Sequence, residues 1–89
     1  MKAVITVIGK DRVGIIAAVA TVLAERNVNI LDISQTIMQE IFTMVMIVDV
    51  SKAASGFDGL SAGLEEKGRE LGVSVRIQHE DIFNSMHRV

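Results

Sequence analysis

Apolar and polar positions alternate along this chain in six stretches, and their two periods predict strands and helices in turn. The first stretch, Lys2 to Ile8, sets Ala3, Ile5 and Val7 on one side and Val4, Thr6 and Ile8 on the other. Both sides are largely apolar, which predicts a central strand covered on both faces. From about Val13 to Arg26 the period becomes helical. Ile16, Val19, Ala20 and Leu23 form a stripe widened by Ile15 and Val22, with Ala18, Thr21 and Glu25 opposite. Asn27 suits a left-handed helix end. A second strand is expected from Asn29 to Met38, where Leu31, Ile33 and Ile37 alternate with Asp32, Ser34 and Thr36, the pattern of one wet face. Gln39-Glu40 fits a tight hairpin turn, although it lacks the favoured Asn-Gly chemistry. The third strand, Phe42 to Val50, aligns Met44, Met46, Val48 and Val50 on one face, with Val45, Ile47, Thr43 and Asp49 on the other.

Ser51 to Ser55 reads as a loop, and Ser55 followed by Asp58 resembles a capping box. A second helix runs on to about Leu71, with Phe57, Leu60, Leu64, Gly68 and Leu71 along one side and Glu65, Glu66, Arg69 and Glu70 facing water. Gly59, Gly63 and Gly68 each cost such a helix about 1 kcal/mol relative to Ala, and Gly72 ends it. The fourth strand, Val73 to His79, alternates Val73, Val75 and Ile77 with Ser74, Arg76 and Gln78. After it, Ile82, Phe83 and Met86 recur at helical spacing, so residues 80–89 are expected to form a short amphipathic helix that packs on the body or on a neighbouring subunit.

The order βαββαβ predicts an α+β, ferredoxin-like sandwich: a four-stranded antiparallel sheet with two helices on one face, plus the short C-terminal helix. Right-handed crossovers put the first and third strands in the middle, and those are the two that are apolar on both faces. The face without helices needs a cover, and a second copy of the chain is the expected one.

Composition narrows the function. The 89 residues form one domain, 1–89, and 49% of them are hydrophobic, more than so small a core absorbs. A net charge of -2 argues against a phosphate-backbone binder, so no nucleic-acid partner is expected. There is no cysteine, hence no disulfide, thiolate metal site or cysteine nucleophile, in keeping with a cytoplasmic location. The longest apolar run, Val13 to Ala24, is broken by Gly14 and Thr21 and is too short to span a bilayer, so no membrane partner is expected. The first residues lack the order of a signal peptide.

The chain is organised around Gly9-Lys10-Asp11-Arg12-Val13-Gly14-Ile15-Ile16, between the first strand and the first helix. First-turn amides of a helix lack intrahelical partners and attract negative charge. Asp11 can cap them, and Gly14 can take positive φ or admit a ligand. The turn is thus either a small-anion site or simply a capped turn. Its spacing is not a P-loop, because Ile15-Ile16 stand where Lys-Ser or Lys-Thr is required, and there is no G-x-G-x-x-G. An RNA-recognition module shares the strand order but stacks bases on central-strand aromatics. Here there are three Phe and no Tyr or Trp, and only Phe42 lies near a central strand. His79, Glu80, Asp81 and His87 match no metal-ligand spacing, and no nucleophile–base pair accompanies Asp11 and Arg12. Met38, Met44 and Met46 read as core filler. Asn29 reads as a turn residue or a ligand donor.

Asp11-Arg12-Val13-Gly14-Ile15 and Asn27-Val28-Asn29-Ile30, at this spacing, resemble the ACT domain over nearly the whole chain. The ending Ile82-Phe83-Asn84-Ser85-Met86-His87-Arg88 further resembles a small family of stand-alone ACT proteins, themselves similar to the N-terminal half of the glycine-cleavage-system repressor. The resemblance implies the βαββαβ fold, pairing through edge strands or sheet faces, and amino-acid binding at the domain–domain interface. It puts the ligand's charged groups against the turn after the first strand. On that pattern Lys10, Asp11, Arg12, Val13, Gly14, Ile15, Asn29 and Ile30 form the ligand site, with no catalytic residue, metal or cofactor. Asp11 departs from members that carry Asn there; a carboxylate suits a ligand's ammonium and opposes its carboxylate. The function implied is a non-catalytic module sensing an amino acid as a homo-oligomer. The rivals are a module that only dimerises or docks on a protein partner, and an acylphosphatase-type enzyme using Arg12 and Asn29.

Overall fold

In a computed structural model, which describes residues 1–54 and 56–80, the six elements follow the expected order. They are β1 (Lys2–Lys10), α1 (Ile15–Glu25), β2 (Asn29–Met38), β3 (Ile41–Asp49), α2 (Gly56–Leu71) and β4 (Val73–His79). The strands form one sheet in the order β2-β3-β1-β4, with every neighbouring pair antiparallel. The two doubly apolar strands, β1 and β3, are the central ones. Ser55 and residues 81–89 lie outside the described residues, and with them the capping box and the C-terminal helix.

Register explains the core. Ala3, Ile5 and Val7 pair with Val48, Met46 and Met44, so these side chains share one face. All six are essentially inaccessible, as are Ile15, Val19 and Leu23 of α1 and Leu60 and Leu64 of α2. Met44 and Met46 are core residues, whereas Met38 stands out at the hairpin, 67% exposed. Gly68 lets α2 settle on β4: a Cβ there would lie 2.8 Å from the Val73 carbonyl oxygen and 2.9 Å from Val75 Cγ2. The helix gives up some propensity at that position and gains close packing.

Four details differ from the pattern reading. β1 runs two residues further, because Gly9 and Lys10 still pair with Phe42 and Ile41. α1 starts at Ile15 rather than Val13, because Gly14 at φ 93° interrupts helical geometry. Ile16, expected in the buried stripe, is 38% exposed. The fourth difference has the largest consequence. β2 is exposed along its whole length except at Ile30. Neither α1 nor α2 reaches over this edge, so Ile33 and Ile37 stay open at 42% and 56% although they share the helix-covered face with Met46 and Phe42. A β-bulge between Ile30 and Asp32 shifts the phase of the strand. On the helix-free face, Val4 is buried, Thr6, Val45 and Ile47 are half-buried and Ile8 is exposed. No described helix is long and apolar enough to cross a membrane.

Candidate functional site

The turn from Asp11 to Gly14 is tied at two points. The Asp11 amide donates to the Glu40 carbonyl at 2.7 Å, which joins it to the β2–β3 hairpin. Arg12 Nη1 donates to the Leu71 carbonyl at 2.7 Å and so satisfies the C-terminus of α2. A guanidinium at that end also complements the helix dipole. Between these anchors Val13 projects fully into solvent.

Gly14 is the N-cap of α1, with φ 93° and ψ 1°, and its carbonyl accepts the first helical hydrogen bond from the Ala18 amide at 2.9 Å. No side chain caps the helix, and its first turn holds no acidic residue. The expected capping by Asp11 is therefore absent. The residue at the cap position is a glycine, and Asp11 stands three residues earlier with its own amide committed to the hairpin. The first amides of α1 are left without a side-chain acceptor. Nothing lies within 4 Å of a Cβ built on Gly14. The dihedral angle by itself favours glycine there, since no protein atom crowds the position.

Beside the turn runs a groove of about 260 Å³. Asp11, Arg12 and Gly14 line one end, Ile15, Ile16 and Ala17 one wall, and Gln35, Ile37 and Phe42 the other. The last three line the groove but were not among the site residues singled out by sequence. One signal was present: Gln35 interrupts the Ile33–Ile37 phase of β2, and its partner Met44 puts it on the helix-covered face.

The predicted site residues do not all meet. Lys10 through Ile15 gather at one end of the sheet. Asn29 pairs with Asp49, which pairs with Lys2, so Asn29 and Ile30 sit at the other end. The length of β1 separates them, roughly 30 Å at about 3.3 Å per residue. There Asn29 lines a second hollow of about 300 Å³ with Asn27, Val28, Asp49, Lys52 and Ala24. Ile30 is half-buried against the core. Asn27, at φ 60°, takes the left-handed helix end expected of it, and its Nδ2 donates to the Lys52 carbonyl at 3.2 Å. The Asp49 carboxylate accepts from the Ser51 hydroxyl and from the Ser51 amide, and it lies 3.6 Å from the Met1 ammonium. The Ser51 hydroxyl bond is the main cause of a pKa below the usual carboxylate range, with the amide bond next; partial desolvation opposes them. Of the metal-ligand candidates, His79 is engaged in stacking on Phe57, with ring centroids 4.1 Å apart. Asp81 and His87 are outside the described residues.

The profile of the ACT domain family matches residues 2–78. This chain belongs to the ACT domain family. A UPF0237 protein from Clostridium acetobutylicum is 64% identical over 89 residues, which is 100% of both chains. Among solved structures, an ACT domain protein from Streptococcus pneumoniae superposes with a TM-score of 0.81 at 45% identity, covering 98% of each chain. A protein described as a putative glycine cleavage system transcriptional repressor reaches a TM-score of 0.76 at 23% identity, covering 86% of this chain and 44% of its own, a likeness of fold. ACT domains are in general regulatory small-molecule-binding modules, and the βαββαβ sheet of this one has the family architecture.

Proposed function

We propose that this ACT domain is a non-catalytic amino-acid sensor whose ligand sits between two copies of the chain. The observation that carries the reading is the β2 edge. Leu31, Ile33, Ile37 and Met38 are exposed on it, and Val13 and Ile16 are exposed beside it. A ten-residue edge this apolar is a liability unless another strand covers it. A twofold, antiparallel pairing of two β2 edges sets the start of one strand against the end of the other. Asn29 of the partner subunit would then come to the end that holds the Asp11–Gly14 turn and the groove. The two halves of the predicted site, a strand length apart in one chain, would close into one.

The chemistry suits a zwitterion. Free amides at the start of α1 can donate to a carboxylate. Asp11 offers a partner to an ammonium, Asn29 can serve either group, and Ile16, Ile37 and Phe42 line the groove for a side chain. The acylphosphatase alternative loses support, since Arg12 is bonded to Leu71 and lies far from Asn29 in the chain.

Thermal unfolding with each amino acid in turn tests the reading. A ligand at a hundred times its Kd stabilises the folded state by about 2.7 kcal/mol, a Tm rise of roughly 10 °C or more for a domain this small. Asp11→Ala is expected to weaken the responding amino acid far more than a plain carboxylate of the same shape. A protein that sediments as a dimer and responds to no amino acid would instead be a dimerisation or docking module.

A further inference from the structure

The opposite edge of the sheet has a different chemistry. β4 is flanked on the helix side by Glu65 and Arg69 of α2 and on the helix-free side by Arg76, with Val73, Val75 and Ile77 as the floor of a shallow groove of about 470 Å³. Arg69 and Arg76 are exposed, and neither guanidinium makes a hydrogen bond or ion pair among the described residues. Nearby, Glu70 is already engaged by Lys67 at 3.1 Å. Among the described residues the groove therefore carries two unpaired cations against one carboxylate, on a chain whose net charge is -2.

We propose that the β4 edge is a docking site for an extended acidic segment of another protein. A strand added to this edge would take up the backbone groups on the outer side of β4, which has no strand neighbour there among the described residues. Successive residues of the added strand point to opposite faces of the sheet. Two consecutive carboxylates would thus meet the two arginines, one on the helix side at Arg69 and one on the other side at Arg76. Arginine suits this role because its planar donors bind carboxylates in a fixed geometry. A second copy of this chain is disfavoured as the occupant: a twofold pairing of β4 with itself would bring like charges around Arg76 together. The apolar β2 edge has no such obstacle, so the two edges have different partners.

The test uses the full chain and the peptide acetyl-Thr-Val-Glu-Glu-Val-Thr-Val-amide, with otherwise identical peptides carrying Gln-Gln or Lys-Lys at the centre. Binding is followed by amide chemical shifts. The Glu-Glu peptide is expected to move resonances of residues 73–79, and the Gln-Gln peptide to bind roughly tenfold more weakly. Glu65→Gln is expected to tighten the Glu-Glu peptide. The double variant Arg69→Glu/Arg76→Glu, checked for an unchanged Tm, is expected to prefer the Lys-Lys peptide. The proposal is overturned if millimolar Glu-Glu peptide shifts no β4 resonance, if the charged and neutral peptides bind alike, or if the shifts fall on β2. A change of oligomeric state in the double variant would assign the edge to a second copy and overturn it too.

Discussion

Gly14 and Asp49 show how single residues set conditions at the two ends of the sheet. At Gly14 the constraint is a dihedral angle in open space, so a larger side chain is penalised by strain and not by collision. Gly14→Val is expected to cost roughly 1–3 kcal/mol of stability with or without ligand. Gly14→Asn should cost less, because Asn tolerates the left-handed region. Chemical denaturation midpoints of the three proteins measure the ranking. At Asp49 the constraint is a proton. Its folded pKa is depressed, so its contribution to stability is present above the ordinary carboxylate pKa and is lost as pH falls through the lower folded value. Ser51→Ala removes the hydroxyl donor while keeping the amide. The Asp49 titration followed by carboxyl carbon NMR should move up toward the ordinary range. Any stability difference between the two proteins should fade in acid. Roles of this kind were only partly legible in the residues. The left-handed Asn27 could be read from its type and place, and the importance of Gly14 from its position. Asp11 was misread as a cap, because a cap depends on which residue ends up adjacent to the helix, and that is set by how far β1 continues.

At the scale of elements, the β2–β3 hairpin is the strained part. Gln39 and Glu40 have φ values of 49° and 72°, both left-handed without being glycine. That is the geometry of the two-residue turn whose twist matches the strands, built from residues that do not favour it. The ladder from Met38↔Ile41 onward holds it, as does the Asp11 amide bonded to Glu40. Replacing the pair by Asn-Gly is expected to stabilise the domain by about 1–2 kcal/mol, measured as a higher urea midpoint at unchanged slope. The hairpin's place was legible from the alternation on either side of it, and its handedness was not. β2 is the complementary case. Its alternating residues read as half-buried, which is true of a strand beneath a helix. Exposure of an edge depends on where the helices lie, and periodicity does not report that.

At the scale of the molecule, the two sheet edges are the surfaces with most to offer a partner. The double substitution Ile33→Lys/Ile37→Lys puts two charges on the β2 edge without touching the buried core. It is expected to leave a folded monomer where the parent protein sediments as a dimer, and to abolish any amino-acid response along with the dimer. Sedimentation velocity at micromolar concentration and a thermal scan decide it. Strand order was legible in the residues, because only β1 and β3 are apolar on both sides and the crossover rule agrees. Within one chain the residues singled out by sequence fall at the two ends of the sheet, and the proposed pairing of two β2 edges is what would bring Asp11 and Asn29 together.

The central place of β1 also dictates when this protein can fold. β1 pairs along its length with β3 on one side and β4 on the other, from Ala3 against His79 to Gly9 against Val73. Its last partner is the final strand described. Closing so long a loop costs conformational entropy before any contact returns it. Until that last strand is available, β1 has an open edge in the middle of the sheet, and α2 lacks the strand it packs on. Before Val73–His79 emerges, β1 can pair with β3 alone and its other edge stays open. The domain is thus bound to form late and in one cooperative step, and a ribosome stalled ahead of Val73 would carry a chain without a native core.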